Sequence, residues 1–226
     1  MLSTPLMPKN ASVMFWISVL GCFLFWLAAY TLIIKRGFQD KTFGMPIAAL
    51  CANIAWETLF SNIYIPDYLL VRIGNSLWVI FDLLILITAL KYGPGDFSQP
   101  LIKRFLRPLI FLGVFLTIFL CIPFVNVYQD TQGYLLGWIA AFMMSILFIA
   151  MLIRRDSIQG QSFYIGLAML LGNFSAYLWV KYYPRQVLDP MVNLTFMLAT
   201  GLFNVIYLIL IYEKCKSQNI NPLTRL

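Results

Sequence analysis

The sequence has no histidine among its 226 residues, and only 11% of them are charged, against about 25% in an ordinary soluble domain. Without histidine, the chain cannot build a haem site with an axial histidine, a zinc site with imidazole ligands or a Ser-His-Asp triad. The chemistry of any site must therefore rest on carboxylates, amides, hydroxyls, thiols and aromatic rings.

Cysteine is sparse and scattered, and the four cysteines are Cys22, Cys51, Cys121 and Cys215. With no short spacing between them, they indicate neither a disulfide framework nor a metal knuckle, and we interpret them as packing residues. The sequence also has no aspartate-rich cluster to hold magnesium on a diphosphate and no glycine-rich phosphate loop. We therefore expect neither a metal nor a cofactor, and we set aside diphosphate-ionising enzymes, ATPases and kinases.

Apolar residues are abundant instead, at 61% of the chain. A membrane-spanning helix needs about 20 apolar residues, so a chain of this length with short connections holds about seven spans. The apolar runs between charges and Pro or Gly breaks predict spans at 12–34, 43–65, 70–90, 105–125, 134–153, 163–180 and 191–212. The expected fold is all-α, a seven-helix integral membrane bundle that forms one domain over residues 1–226.

The basic residues predict the orientation of this bundle. The connections after spans one, three and five and the C-terminal tail carry 12 of the 16 Lys and Arg residues. The other four are Lys9, Arg72, Lys181 and Arg185. The positive-inside rule then places the N-terminus outside and the C-terminus in the cytoplasm. The net charge of +7 therefore reflects membrane orientation, and no nucleic-acid partner is expected. A eukaryotic host implies the endoplasmic reticulum, a bacterial host the plasma membrane.

Two acidic residues lie within the predicted spans. Glu57 is roughly 20 Å from the cytoplasmic end of span two, and Asp82 is near the middle of span three. An ionisable side chain at the bilayer centre costs about 2.5–3.5 kcal/mol on insertion scales. Both side chains are therefore expected to face the protein interior and are the first candidates for a functional site.

Polar and aromatic residues accompany Glu57. Asn53 lies one turn earlier on the same helical face, and Trp56 and Phe60 flank the acid. Removal from water favours the neutral form of a carboxyl, and a protonated acid in an apolar pocket is a proton donor. The structural alternative is a carboxyl that joins two helices or pairs with Arg72.

Further candidates lie in spans three and seven. Trp78 is one turn before Asp82, and Asn204 shares a helical face with Tyr207. Glu213 ends span seven beside two lysines, where an interfacial charge cluster is the simpler interpretation. The other four residues each have a structural alternative as a buried packing or hydrogen-bonding residue; they are Trp78, Asp82, Asn204 and Tyr207.

Three motifs resemble one known family. The run from Gly44 to Glu57, which reads GMPIAALCANIAWE, is similar to the signature of small membrane-embedded terpene cyclases of meroterpenoid and indole-diterpene biosynthesis, the paxilline- and pyripyropene-type cyclases. In that family a Met-Pro opens span two and Asn-x-x-Trp-Glu carries the acid. The stretch from Trp78 to Gly93, and Gly-Gln-Ser at 160–162 before span six, resemble the same family.

The resemblance implies class II type cyclisation without a metal. A buried acid protonates an epoxide or terminal alkene of a polyprenyl chain, attached to an aromatic or other head group, and the double bonds then close through carbocations. It implies Glu57 as the acid, and it implies that the lipophilic substrate contacts a set of polar and aromatic residues. These are Asn53, Trp56, Phe60, Trp78 and Tyr207.

Span seven departs from the family pattern. A second acid is expected there, but the best-fitting position is Asn204, which cannot ionise. Its role is either taken by Glu213 or Asp82, or the protein uses one acid with Asn204 as a hydrogen-bond partner.

Two other functions fit parts of the sequence. A proton-coupled transporter of small solutes would also place Glu57 and Asp82 near the midplane, and spans one to three and five to seven carry a weak internal repeat. A noncatalytic membrane scaffold is the third possibility, but it gives no reason for Glu57.

Overall fold

The structure is a computed structural model that describes residues 5, 6, 8 and 11–226. In this part of the chain seven α-helices occur and no strand, which confirms the all-α prediction. The helices are α1 (Val13–Gln39), α2 (Ile47–Thr58), α3 (Leu69–Tyr92), α4 (Pro100–Tyr128), α5 (Tyr134–Arg155), α6 (Phe163–Lys181) and α7 (Pro190–Ser217). A π-helical turn (Leu59–Ile63) extends α2, and a 3₁₀ turn (Gly93–Asp96) follows α3.

Six of the seven helices are long and apolar enough to cross a membrane, and α2 is the exception. The 12 residues of α2 and the five of its π-helical turn reach about 25 Å, less than the roughly 30 Å of a bilayer core. The predicted span of 43–65 is therefore too long. Pro46 stands just before the helix, and Phe43 and Met45 are buried in the connection rather than in a helix.

The short α2 lies at the centre of the packing. It contacts α3, α4 and α5, while α1 packs along α6, and α7 packs against α5 and α6. Its buried side chains include Leu50, Asn53, Ile54 and Glu57. A polar side chain on α2 is therefore surrounded by other helices rather than by lipid.

The charged residues gather at the two ends of the bundle. At one end Asp40 pairs with Arg36 and Arg225, and Asp96 accepts from Arg155 at 2.6 Å. At the other end Arg185 pairs with Asp67 at 2.8 Å. Lys9, which the orientation argument also counted, lies outside the described residues. The larger group of ion pairs lies at the end that the sequence places in the cytoplasm.

Candidate functional site

A chain of hydrogen bonds holds the carboxyl of Glu57. The Tyr30 hydroxyl, on α1, donates to Glu57 Oε1 at 2.7 Å, and Asn53 Nδ2 donates to the Tyr30 oxygen at 2.8 Å. Asn53 and Glu57 are four residues apart on α2, so both reach Tyr30 from one helical face. Because the Asn53 amide donates to its oxygen, the Tyr30 hydroxyl proton is directed at Glu57.

Asp82 lies against Glu57 from α3. Asp82 is completely buried and lies next to Glu57. Among the described residues, Glu57 Oε2 and both oxygens of Asp82 have no hydrogen-bond partner, and no basic side chain forms an ion pair with either acid. Two adjacent carboxylates repel each other in an apolar interior, and a proton on one of them removes this repulsion.

The π-helical turn after Glu57 fixes α2 against α3. A π turn leaves carbonyl groups without their usual helical partners. Here the side chains of α3 supply them: Arg72 Nε donates to the Ser61 carbonyl at 2.9 Å, and Asn75 Nδ2 donates to the Phe60 carbonyl at 3.1 Å. Arg72 is thus bonded to backbone and not to Glu57, which contradicts the ion pair in the structural alternative. The other form of that alternative, a carboxyl that joins two helices, is met by the hydrogen bond from Tyr30 on α1. These contacts position Glu57 beside Asp82.

Glu57 lines a cavity of about 150 Å³, together with Tyr30 and Asn53. Five of the six tryptophans of the chain also line it, namely Trp26, Trp56, Trp78, Trp138 and Trp179. Asp82 does not line this cavity and lies behind Glu57. The cavity, called the Glu57 cavity below, thus places one acid before many aromatic rings, whose faces attract cations.

Hydrogen bonds fix two of these indole rings. Trp56 Nε1 donates to the Gly133 carbonyl at 2.7 Å, and Trp138 Nε1 donates to Asn193 Oδ1 at 2.8 Å. Each of these two N–H groups therefore has a partner within the protein.

Besides Asp82, four predicted site residues lie outside the Glu57 cavity. Phe60 packs on Trp56, with ring centroids 5.2 Å apart, but is 1% exposed and lines no part of it. Tyr207 is buried against Phe148 and donates to Gln161 Oε1 at 3.1 Å. Asn204 is also buried away from the cavity, and Glu213 is exposed near the end of α7.

Helical periodicity places Asn204 and Tyr207 on one face of α7 but does not say which helix that face meets. The structure brings together Glu57, Asp82, Asn53, Trp56 and Trp78 from the predicted set. Tyr30 is the principal residue that sequence reasoning missed. Its signal was one hydroxyl among several in the apolar span one, and Trp26, Trp138 and Trp179 are too far from Glu57 in sequence to be connected with it.

A comparison with known protein families shows which family the chain belongs to. The family model of Pyr4-like transmembrane terpene cyclases matches residues 2–218. The chain belongs to this family. The resemblance found in the sequence motifs is thereby confirmed. The family match favours a cyclase over the transporter and scaffold alternatives.

Curated relatives are fungal cyclases. The chain is 30% identical over 156 residues to the Pyr4-family terpene cyclase mfmH of Annulohypoxylon moriforme, a match that covers 68% of the chain and 64% of that protein. It is 34% identical over 178 residues to the terpene cyclase atmB of Aspergillus flavus, covering 74% and 71%. It is 31% identical over 182 residues to the terpene cyclase penB of Penicillium crustosum, covering 75% and 72%. No solved structure matches the chain.

Proposed function

We propose that the protein is a membrane terpene cyclase in which the Glu57–Asp82 pair supplies the proton that starts cyclisation. The observation that carries the proposal is the pair of adjacent buried carboxyls, of which Glu57 lines a cavity together with five tryptophans. Membership of the cyclase family supports the reaction class. The substrate is a lipophilic prenylated molecule with an aromatic or other head group.

The first step transfers the proton from Glu57 to the substrate. The proton adds to an epoxide oxygen, so that a C–O bond opens, or to a terminal alkene carbon, and either leaves a carbocation. Each alkene then attacks the cation before it, which forms a ring bond and moves the positive charge along the chain. Loss of a proton from carbon ends the cascade, so the alkene-initiated reaction is an isomerisation with no net change in atoms.

The neighbours of Glu57 have separate tasks in this step. Asp82 lies beside the carboxyl, outside the cavity, and shares its proton. The proton that the last cation loses returns to the pair, so that the pair is ready for the next cycle. Tyr30 donates to Glu57 Oε1 and so stabilises the carboxylate that remains after proton transfer. The tryptophan faces stabilise the cations, and a closed apolar site excludes the water that would quench them.

Asp82 is our choice for the second acid. It lies directly behind Glu57, whereas Asn204 is buried elsewhere on α7 and Glu213 is exposed near the end of that helix. Roles for Asn204, Tyr207 and Glu213 stay predictions from the family resemblance.

We also propose the orientation and organisation of the chain. Residues 1–226 form one seven-helix domain with the N-terminus outside and the C-terminus in the cytoplasm, as the distribution of basic residues supports. The substrate reaches the site from the bilayer of the endoplasmic reticulum in a eukaryote, or of the plasma membrane in a bacterium.

The test is a product assay with the purified full chain in lipid nanodiscs and a prenylated aromatic substrate. Glu57→Gln keeps the size and hydrogen bonding of the side chain but cannot donate the proton. We expect turnover to fall by about 10²–10⁴-fold, the usual contribution of a general acid. Asp156→Asn is the control, because this carboxyl is exposed at the end of α5. A Glu57→Gln protein that still forms the cyclised isomer at the wild-type rate would contradict the proposal.

A further inference from the structure

The Glu57 cavity is too small for the proposed substrate. A cavity of about 150 Å³ binds a molecule the size of benzene. A chain of several isoprene units with an aromatic head group is several times larger. Space for the rest of the chain must therefore adjoin the Glu57 cavity.

A second cavity supplies such space. It lies between α2, α4 and α5, has a volume of about 470 Å³ and shares Trp56 and Ala140 with the Glu57 cavity. We call it the α4–α5 cavity. Its lining carries no charged residue and includes Ala52, Gly113, Thr117, Cys121 and Met143. A lining without charged residues suits a hydrocarbon chain.

The α4–α5 cavity opens towards the bilayer. In the described part of the chain α4 packs against α2, and α5 packs against α7 and α2, but α4 and α5 themselves barely touch. Ala48 and Ile139, on either side of the cavity, are exposed. In addition, α4 is the least buried of the six long helices and has two prolines within it, at positions 108 and 123. A lipophilic molecule can thus reach this cavity sideways from the membrane.

We propose that the α4–α5 cavity binds the unreacted part of the substrate's isoprenoid chain, with Trp56 as the wall that the chain passes to bring its reacting end to Glu57. The inference rests on the proposed function, because it assumes an isoprenoid substrate. Trp56 and Ala140 are the residues common to both cavities, so the chain passes from one space to the other beside these two side chains. The volume beyond Trp56 then limits the length of chain that the enzyme accepts.

A third cavity, of about 340 Å³ between α1 and α3, also adjoins the Glu57 cavity through Val71, Trp78 and Trp179. Its lining includes Tyr68, just before α3 begins, so it lies towards one end of the bundle. The α4–α5 cavity is larger and its shared wall, Trp56, is the chain neighbour of Glu57. We therefore assign the isoprenoid chain to the α4–α5 cavity.

Photo-crosslinking of the full chain in nanodiscs tests this assignment. The probe is geranylgeranyl phenyl ether with a diazirine near the phenyl end of its chain, and mass spectrometry maps the labelled peptides. We expect labels on α4 and α5. Thr117→Phe fills the α4–α5 cavity and should lower labelling by about tenfold or more. Thr195→Phe is the matched control, because Thr195 is exposed on α7 and lines none of the three cavities.

Three results would overturn the assignment: labels on α1 and α3, unchanged labelling of Thr117→Phe, or equal labelling by a phospholipid with a diazirine in its acyl chain. Glu57→Gln separates this test from that of the proposed function, since binding of the chain needs no proton. We expect this variant to be labelled like the wild type while its turnover falls by about 10²–10⁴-fold. A Glu57→Gln protein that forms product at the wild-type rate refutes the proton donor, and the labelling pattern still decides the α4–α5 cavity.

Discussion

Two regions of the bundle bury polar atoms that have no hydrogen-bond partner among the described residues, and they differ in what surrounds them. In the first, Glu57 lines a cavity and Asp82 lies behind it. In the second, Thr200 and Asn204 lie one turn apart on α7, completely buried. Within the described residues, the Thr200 hydroxyl and both amide atoms of Asn204 have no partner. Neither residue lines any of the three cavities.

This difference shows that buried polarity alone does not make a catalytic site. An unpaired amide or hydroxyl costs stability in an apolar interior, but it cannot release a proton at neutral pH. A carboxyl pair can, and the cavity beside Glu57 gives a substrate access to it. The family resemblance predicts a second acid in span seven, whereas the geometry favours an acid pair formed by α2 and α3.

The largest effect after Glu57→Gln itself is expected for Asp82→Asn. The substitution keeps the shape of the side chain but removes the second acid, so the pair can no longer exchange its proton. We expect product formation to fall by about a hundredfold. The measurement is the isomer yield in nanodiscs, with Asp156→Asn as the matched control at an exposed carboxyl. Wild-type yield from Asp82→Asn would remove Asp82 from the mechanism.

An intermediate effect is expected for Tyr30→Phe. The variant loses one hydrogen bond to Glu57, and a bond to a charged group contributes about 1.5–3 kcal/mol, or roughly tenfold to a hundredfold in rate. Tyr164→Phe removes a comparable hydroxyl, which donates to the Leu223 carbonyl away from the cavity. If both variants lose activity equally, the loss in Tyr30→Phe comes from lower protein stability and not from the missing hydrogen bond to Glu57.

The smallest effect is expected in the other region, for Asn204→Leu. Leucine has a similar branched shape and removes an amide without partners among the described residues, so thermal stability should stay equal or rise. We expect activity to change by less than about tenfold. The melting temperature and isomer yield, measured on the same preparation, check both statements. A loss as deep as that of Glu57→Gln would return span seven to the active site.

Much of the fold follows from the sequence, because long apolar runs have few alternatives to helices in a membrane. Glu57 could be found for the same reason, since an acid at that depth is costly. The length of span two could not be found by hydrophobicity alone, because Phe43 and Met45 are equally apolar in a buried loop. Tyr30 and the distant tryptophans depend on how α1, α5 and α6 pack around α2, and sequence periodicity gives no partner for a helical face.

The central claim is that the Glu57–Asp82 pair holds a proton, and infrared spectroscopy of the purified protein at neutral pH tests it most directly. We expect a carbonyl band of a protonated carboxyl in the wild type and in Asp156→Asn, and its absence from the double variant Glu57→Gln/Asp82→Asn. A wild-type spectrum without that band would show both acids ionised and would contradict the account.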